Sequence, residues 1–133
     1  MGPSIRPYDQ RLLVRANHAR ERHQTTSYAM NHTLWKVAHA WAQHMAHTGK
    51  LVHNPHLQAK LSRKCPRWHQ IGENIAYAVN RSNKRTFRAY MHSPEHRANI
   101  LNRHYHQVGI ASIKVVRHHQ VEEWNVMDFA DRC

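Results

Sequence analysis

Four cations, Arg81, Lys84, Arg85 and Arg88, recur at positions i, i+3, i+4 and i+7, the spacing that gathers side chains on one face of a helix. Such a face can neutralise the phosphates of a nucleic acid or of anionic lipid headgroups and release their counterions; the plainer reading is a solvated helix face. The chain as a whole carries matching charge, with 20 Lys and Arg against 8 Asp and Glu for a net +12, and 15 histidines that add to it in acid. Anionic partners are therefore favoured, although a scattered basic surface also serves solubility alone. Two cysteines, Cys65 and Cys133, are too few for a four-thiolate metal site or a disulfide framework and form either one bridge or two free thiols. No Gly-rich phosphate loop, G-x-S-x-G elbow or H-E-x-x-H motif occurs, and neither cysteine sits in a nucleophile signature. The motifs name no catalytic residue.

The elements that must position these residues follow from periodicity. Leu12, Leu13, Ala16 and Ala19 mark an amphipathic helix from Tyr8 to about His23, with Arg11, Arg15, Arg20 and Arg22 largely off its apolar stripe. After a polar break over 24–28, Asn31 or Thr33 caps a second helix through Leu34, Val37, Ala38, Trp41, Ala42 and Met45, and Gly49 ends it. Pro55 and Pro66 interrupt a loop over 50–70 that holds at most a short helical piece near Leu57 to Leu61. Ile71 to Val79 is a buried strand or a helix start, and Ser82 to Met91 is a helix with Phe87, Tyr90 and Met91 inward. Ser93, Pro94 and Glu95 supply a hydroxyl cap, a first-turn proline and an acid for the next helix, which runs through Leu101. Val108 to Val116 and Val121 to Phe129 read as strands of a hairpin turning over 117–120.

Helices first and antiparallel strands later predict an α+β fold in which helices cover a small antiparallel sheet. At 133 residues, 41% of them hydrophobic, one domain is expected over 1–133, with its core from about 8 to 130. No apolar run approaches the ~18 residues of a membrane span, and the opening MGPSIRPYDQR lacks the features of an export signal. A soluble monomer is expected. Cys65 precedes the 71–79 segment and Cys133 follows the last strand, so the two are expected close in space in oxidising conditions.

Four segments then form an ordered series: LWKVAHAWAQHMAHTGKLVH ending at His53, GENIAYA with Glu73, SPEHRANIL with His96, and the closing VGIA and WNVMDFA. In this order and spacing, over roughly Leu12 to Phe129, they resemble the CAP superfamily of SCP-like domains, and most closely its short bacterial branch. The resemblance implies an α-β-α sandwich with a central cleft. It also implies that His53, Glu73 and His96 occupy the positions of the family's two cleft histidines and one of its two glutamates. The other glutamate follows a tryptophan by three; Tyr90 holds the tryptophan position here and leaves Ser93 in place of the acid.

Two imidazoles and one carboxylate suffice to hold a divalent cation such as zinc with a fourth position open. His96 in a first helical turn would stay neutral for that role, with Glu95 opposing. The alternative is a polar latch in which His53 and His96 hydrogen-bond Glu73 and nearby backbone, with Asn74 adding side-chain hydrogen bonds. The functional expectation is a cleft that binds an extracellular or envelope ligand, lipid-like or from a cell wall. A metal-assisted hydrolase and a polyanion-binding or nucleic-acid-binding protein are the alternatives. Relatives in the family are mostly secreted, which stands against the missing export signal.

Overall fold

The computed structural model describes residues 4–133; the first three positions of the expected 1–133 domain, which also open the segment read for an export signal, lie outside the described residues. Helix α1 (Pro7–Arg22) starts on a proline whose missing N–H has no helical partner to lose, with Asp9 in its first turn. A two-residue strand β1 (Ala29–Met30) leads to α2 (His32–Thr48), where Asn31 Oδ1 accepts the Leu34 amide at 2.9 Å and Gly49 closes the helix at a φ of 71°. Helix α3 (Leu57–Lys64), strand β2 (Ile71–Val79), α4 (Asn83–Met91) and α5 (Pro94–Ile100) follow, then β3 (Gln107–Arg117) and β4 (Gln120–Ala130). His118 and His119, both with positive φ, form the two-residue turn of the last hairpin.

The sheet order is β1-β3-β4-β2, with β4 antiparallel to both neighbours. It is mixed rather than wholly antiparallel, because β1 runs parallel to β3. A strand of two residues shows no period of two, so nothing in the sequence marked β1 between the polar break over 24–28 and the cap of α2. Alternate residues face opposite layers. Val108, Ile110, Met127 and Phe129 pack against α1, α4 and α5. Ala111, Trp124, Val126 and Ala130 pack against α2 and α3. Gly109 is the contact that brings α2 close: a Cβ there would overlap the backbone of Leu34 and Trp35. Cys65 and Cys133 are joined, their Cα atoms 4.4 Å apart across 68 residues of chain; closing a loop of that length stabilises by roughly 4 kcal/mol through the unfolded state.

Arg20 departs most from the sequence expectation. Its polarity marked it as off the stripe of α1, yet it is fully buried. The guanidinium donates to the carbonyls of Thr26 (2.6 Å), Ile100 and Asn102 (2.9 Å each) and Tyr105 (2.7 Å), and lies 3.7 Å over the Tyr28 ring. Position 20 follows Ala16 by one turn, so helical spacing places it inward, and four carbonyls replace its water. Arg20→Met leaves those carbonyls short of donors and is expected to cost about 3 to 5 kcal/mol in urea denaturation. Arg20→Lys keeps the charge but lacks the planar fork, and is expected to recover less than half of the loss.

Candidate functional site

The loop from α2 to α3 delivers His53. Trp41 Nε1 holds the preceding residue by donating to the Val52 carbonyl at 2.8 Å, and Asn54 Oδ1 accepts the His56 amide at 2.9 Å. His53 Nδ1 then meets Glu73 Oε1 at 2.9 Å, and the Asn54 amide donates to the same oxygen at 2.9 Å. Nδ1 faces the carboxylate, and the side chain as a whole is 63% exposed. Glu73 alternates with Ile71 and Ile75 on the α2 face of β2, directly opposite Asp128 of β4.

Asp128, which the sequence analysis did not single out, is fully buried. Glu73 Oε2 and both Asp128 oxygens are buried without an ordinary hydrogen-bond donor. A proton shared across the strand pair gives Glu73 Oε2 and one Asp128 oxygen a partner and leaves the second Asp128 oxygen without one. Desolvation first, and then the hydrogen bond and charge of Glu73, push the Asp128 carboxyl well above the usual range, with Lys60 opposing. Asp128 therefore keeps the proton and donates it in a hydrogen bond to Glu73 Oε2, since Glu73 Oε1 already serves His53 and Asn54.

His96 approaches from the other layer. Its ring stands edge-on to Tyr90, with centroids 5.2 Å apart, and burial followed by the neighbouring His53 lowers its pKa against the opposing pull of Glu95. Tyr90 is itself fixed by a buried chain: its hydroxyl donates to Asn125 Oδ1 at 2.6 Å, and Asn125 Nδ2 and Ser112 Oγ donate to the two oxygens of Asp9 at 3.3 and 3.0 Å. Burial pushes the Asp9 carboxyl up to about 7. Asn74 points away from Glu73, donating to the His96 carbonyl at 3.0 Å and accepting from Asn99 Nδ2 at 2.9 Å, so it fastens α5 to β2. Ser93 takes the N-cap position of α5 by backbone, but its hydroxyl makes no capping bond and lines the cleft instead. Glu95 is exposed.

The cleft lies at the outer strand β2, a cavity of about 240 Å³ bounded by Leu51, Ile75, Tyr77, Arg81, Tyr90 and His96. It adjoins a second cavity of about 340 Å³ that shares Leu51 and Tyr77 and adds Arg117, Glu122 and Trp124. The four expected surface cations are divided. Arg81 precedes α4, bonds Thr86 Oγ1 at 3.3 Å and lines the cleft. Lys84 and Arg88 face a groove beside α1, which Arg85, also exposed, does not line. Among the described residues no three His, Cys, Asp or Glu side chains converge as a metal-holding group. With Glu73 Oε1 committed to His53 and Asn54, the expected donor set does not fit a resident ion as arranged. The described helices include none long and apolar enough to cross a membrane.

A sequence profile of the cysteine-rich secretory protein family, CAP, matches residues 13–128. No curated protein sequence matches the chain. Among solved structures, the chain is similar to an outer surface protein from Borrelia burgdorferi, with a TM-score of 0.78 and 18% identity over 100% of both chains. It is similar to an extracellular protein containing an SCP domain from Bacillus anthracis, with a TM-score of 0.77 and 20% identity, covering 97% of this chain and 45% of that one. It is also similar to venom allergen-like protein 4 from Schistosoma mansoni, with a TM-score of 0.65 and 9% identity over 95% of this chain and 89% of the other. At these identities the likeness is one of fold.

Because folding holds a proton on Asp128 above its unfolded range, this group's contribution to stability falls as pH rises past the ordinary carboxylate range. Asp128→Asn keeps a donor toward Glu73 and removes that fall. The variant is expected to match wild type in acid and to melt several degrees higher near pH 8, in thermal denaturation scanned across pH. Asp9 contributes a remaining fall in stability between about pH 4 and about 7, which His39 and His96, their pKa values lowered by burial, oppose.

Proposed function

The chain belongs to the cysteine-rich secretory protein family, CAP, and on that premise we propose that it is a ligand-binding domain, taking into the cleft at β2 an extracellular or envelope molecule with an apolar body and an ionised group. The observation that carries this reading is the composition of the cleft and its neighbour. Ile75, Leu51, Tyr77 and Trp124 line the two adjoining cavities, with Arg81 in one and the Arg117–Glu122 ion pair (3.5 Å) in the other. Leu51, Val52, Tyr77 and Val79, four of the six large apolar side chains most exposed among the described residues, line these cavities or lie within two residues of their lining in sequence. Exposed apolar surface gathered at a concavity is costly unless something covers it.

Binding is favoured over catalysis because the polar groups here are occupied with one another. Glu73 is spent on His53, Asn54 and Asp128, and Ser93 Oγ forms no hydrogen bond to His96 that would activate it. What Glu73 does is orient His53, while the His96 ring supplies a polar contact in the cleft.

Trp124 lines the adjoining cavity, so its fluorescence reports occupancy. A dansylated fatty acid and a soluble muropeptide are the probes, one for each ligand class. At least one is expected to quench saturably, and Leu51→Asp, at an exposed position, is expected to weaken that quenching about tenfold or more without shifting the melting temperature. Quenching by neither probe, or equal quenching in the variant, would end this reading.

Zinc is distinguished by titrating wild type against the double variant His53→Ala, His96→Ala. Equal uptake is expected, through the other 13 of the 15 histidines. Uptake that disappears with the pair would make the cleft a metal centre, and the hydrolase reading would then lead.

A further inference from the structure

Helices α1, α4 and α5 enclose a groove of about 350 Å³ that is separate from the cleft. Arg15, His18 and Arg22 form one wall, Lys84, Arg88 and Arg97 stand opposite, and Phe87 and Met91 lie between them. No Asp or Glu lines it. Two of the five full cations are held in place before any ligand arrives. Arg15 Nε donates to Asn83 Oδ1 at 2.8 Å, and an Arg97 nitrogen donates at 3.1 Å to His23 Nε2, whose Nδ1 is tied to the Ala19 carbonyl at 2.8 Å. Arg22, Lys84 and Arg88 are exposed. Five like charges facing one another across a narrow space repel, and an anion threaded between them relieves that cost.

We propose that this groove binds a single phosphodiester strand, single-stranded DNA or RNA, with phosphates along both cationic walls and a base against Phe87. Three features favour a strand over the alternatives. Cations on both sides of a groove suit a chain passing between them, and at about 350 Å³, with α1 bonded across to α4 by Arg15–Asn83 and to α5 by Arg97–His23, the groove has room for a single strand and not for the body of a duplex. The half-buried Phe87 ring offers a flat apolar surface at the floor, the arrangement by which single strands are held without sequence preference. A membrane would require apolar groups that project beyond the charges, and here the apolar residues are recessed; apart from Val14, the exposed large apolar side chains lie at the cleft or at the β3–β4 hairpin. This assignment replaces a single helix face with cations from three helices, which no spacing within α4 could reveal.

The test is fluorescence anisotropy of a labelled oligothymidine of about 15 nucleotides with the intact chain. Three to five phosphate contacts predict a log–log salt slope of about −2 to −3.5, hence a loss of about 15- to 130-fold between about 50 and 200 mM salt. The variant Arg22→Glu, Lys84→Glu, Arg88→Glu is expected to lose at least about tenfold at 50 mM salt. A control with the same charge change elsewhere, Arg63→Glu, Lys64→Glu, Arg103→Glu, should stay within about threefold of wild type. Phe87→Leu, which keeps an apolar side chain at the floor, is expected to lose about fivefold or more through stacking alone.

The proposal is overturned if wild type does not bind at 50 mM salt, or if the groove and control variants weaken alike, which would make the attraction one of net charge. It is equally overturned if only duplex DNA, or only phosphatidylglycerol vesicles, compete for the groove. Thermal melts of each variant confirm that the fold is intact, and neither ligand of the cleft experiment enters this one, so the two readings fail separately.

Discussion

A guanidinium without a carboxylate holds one side of this protein together. Arg20 gathers carbonyls from the loop after α1, from the end of α5 and from the approach to β3. Backbone carbonyls in irregular segments have no ladder to join, and burying them without donors costs on the order of 1 to 3 kcal/mol each. Arg20 supplies four such bonds from one rigid plane. Tyr28, beneath it, donates at 2.9 Å to the Ile100 carbonyl as well, so two side chains from before β1 fix the end of α5. The position of α5 in turn sets where His96 meets the cleft.

The opposite side depends on a different constraint. Glu73 and Asp128 face each other across β2 and β4 on the α2 layer, and the His53 loop closes over them. Two carboxyl groups share one proton in a place where both could not sit ionised side by side. The pair therefore works as a support for His53, which extends outward while the acids stay inside. Asn74, one residue along the same strand, faces the other layer and holds α5. Successive residues of one outer strand thus position the two imidazoles from the two faces of the sheet.

Periodicity made the long elements readable. The stripe of α2, the Asn31 cap, the left-handed Gly49 and the final hairpin all correspond to patterns in residue type, because each is set by neighbours within a turn or a pleat. Arg20 shows where that reasoning stops: its spacing points inward, its charge points outward, and only carbonyls from residues 26 to 105 decide between them. Asp128 shows the same limit, since an acid among Met127, Phe129 and Ala130 has meaning only once Glu73 is opposite. The family resemblance placed His53 and Glu73, which touch. It could not show that His96 approaches from another layer, nor that the cations of α4 divide between two concavities.

The order of strands in the sheet differs from their order along the chain, and this governs how the protein can assemble. β4 is the last strand in sequence and lies between β3 and β2. Until it docks, β2 has no strand partner, and neither carboxyl of the buried pair has the other. Contacts such as Asn125 to Asp9 span 116 residues, so the decisive loop closures are long and come late. The helices and the β3–β4 hairpin are local, whereas β2 joins the sheet only through β4, so the cleft at β2 is complete only once that long-range pairing is made.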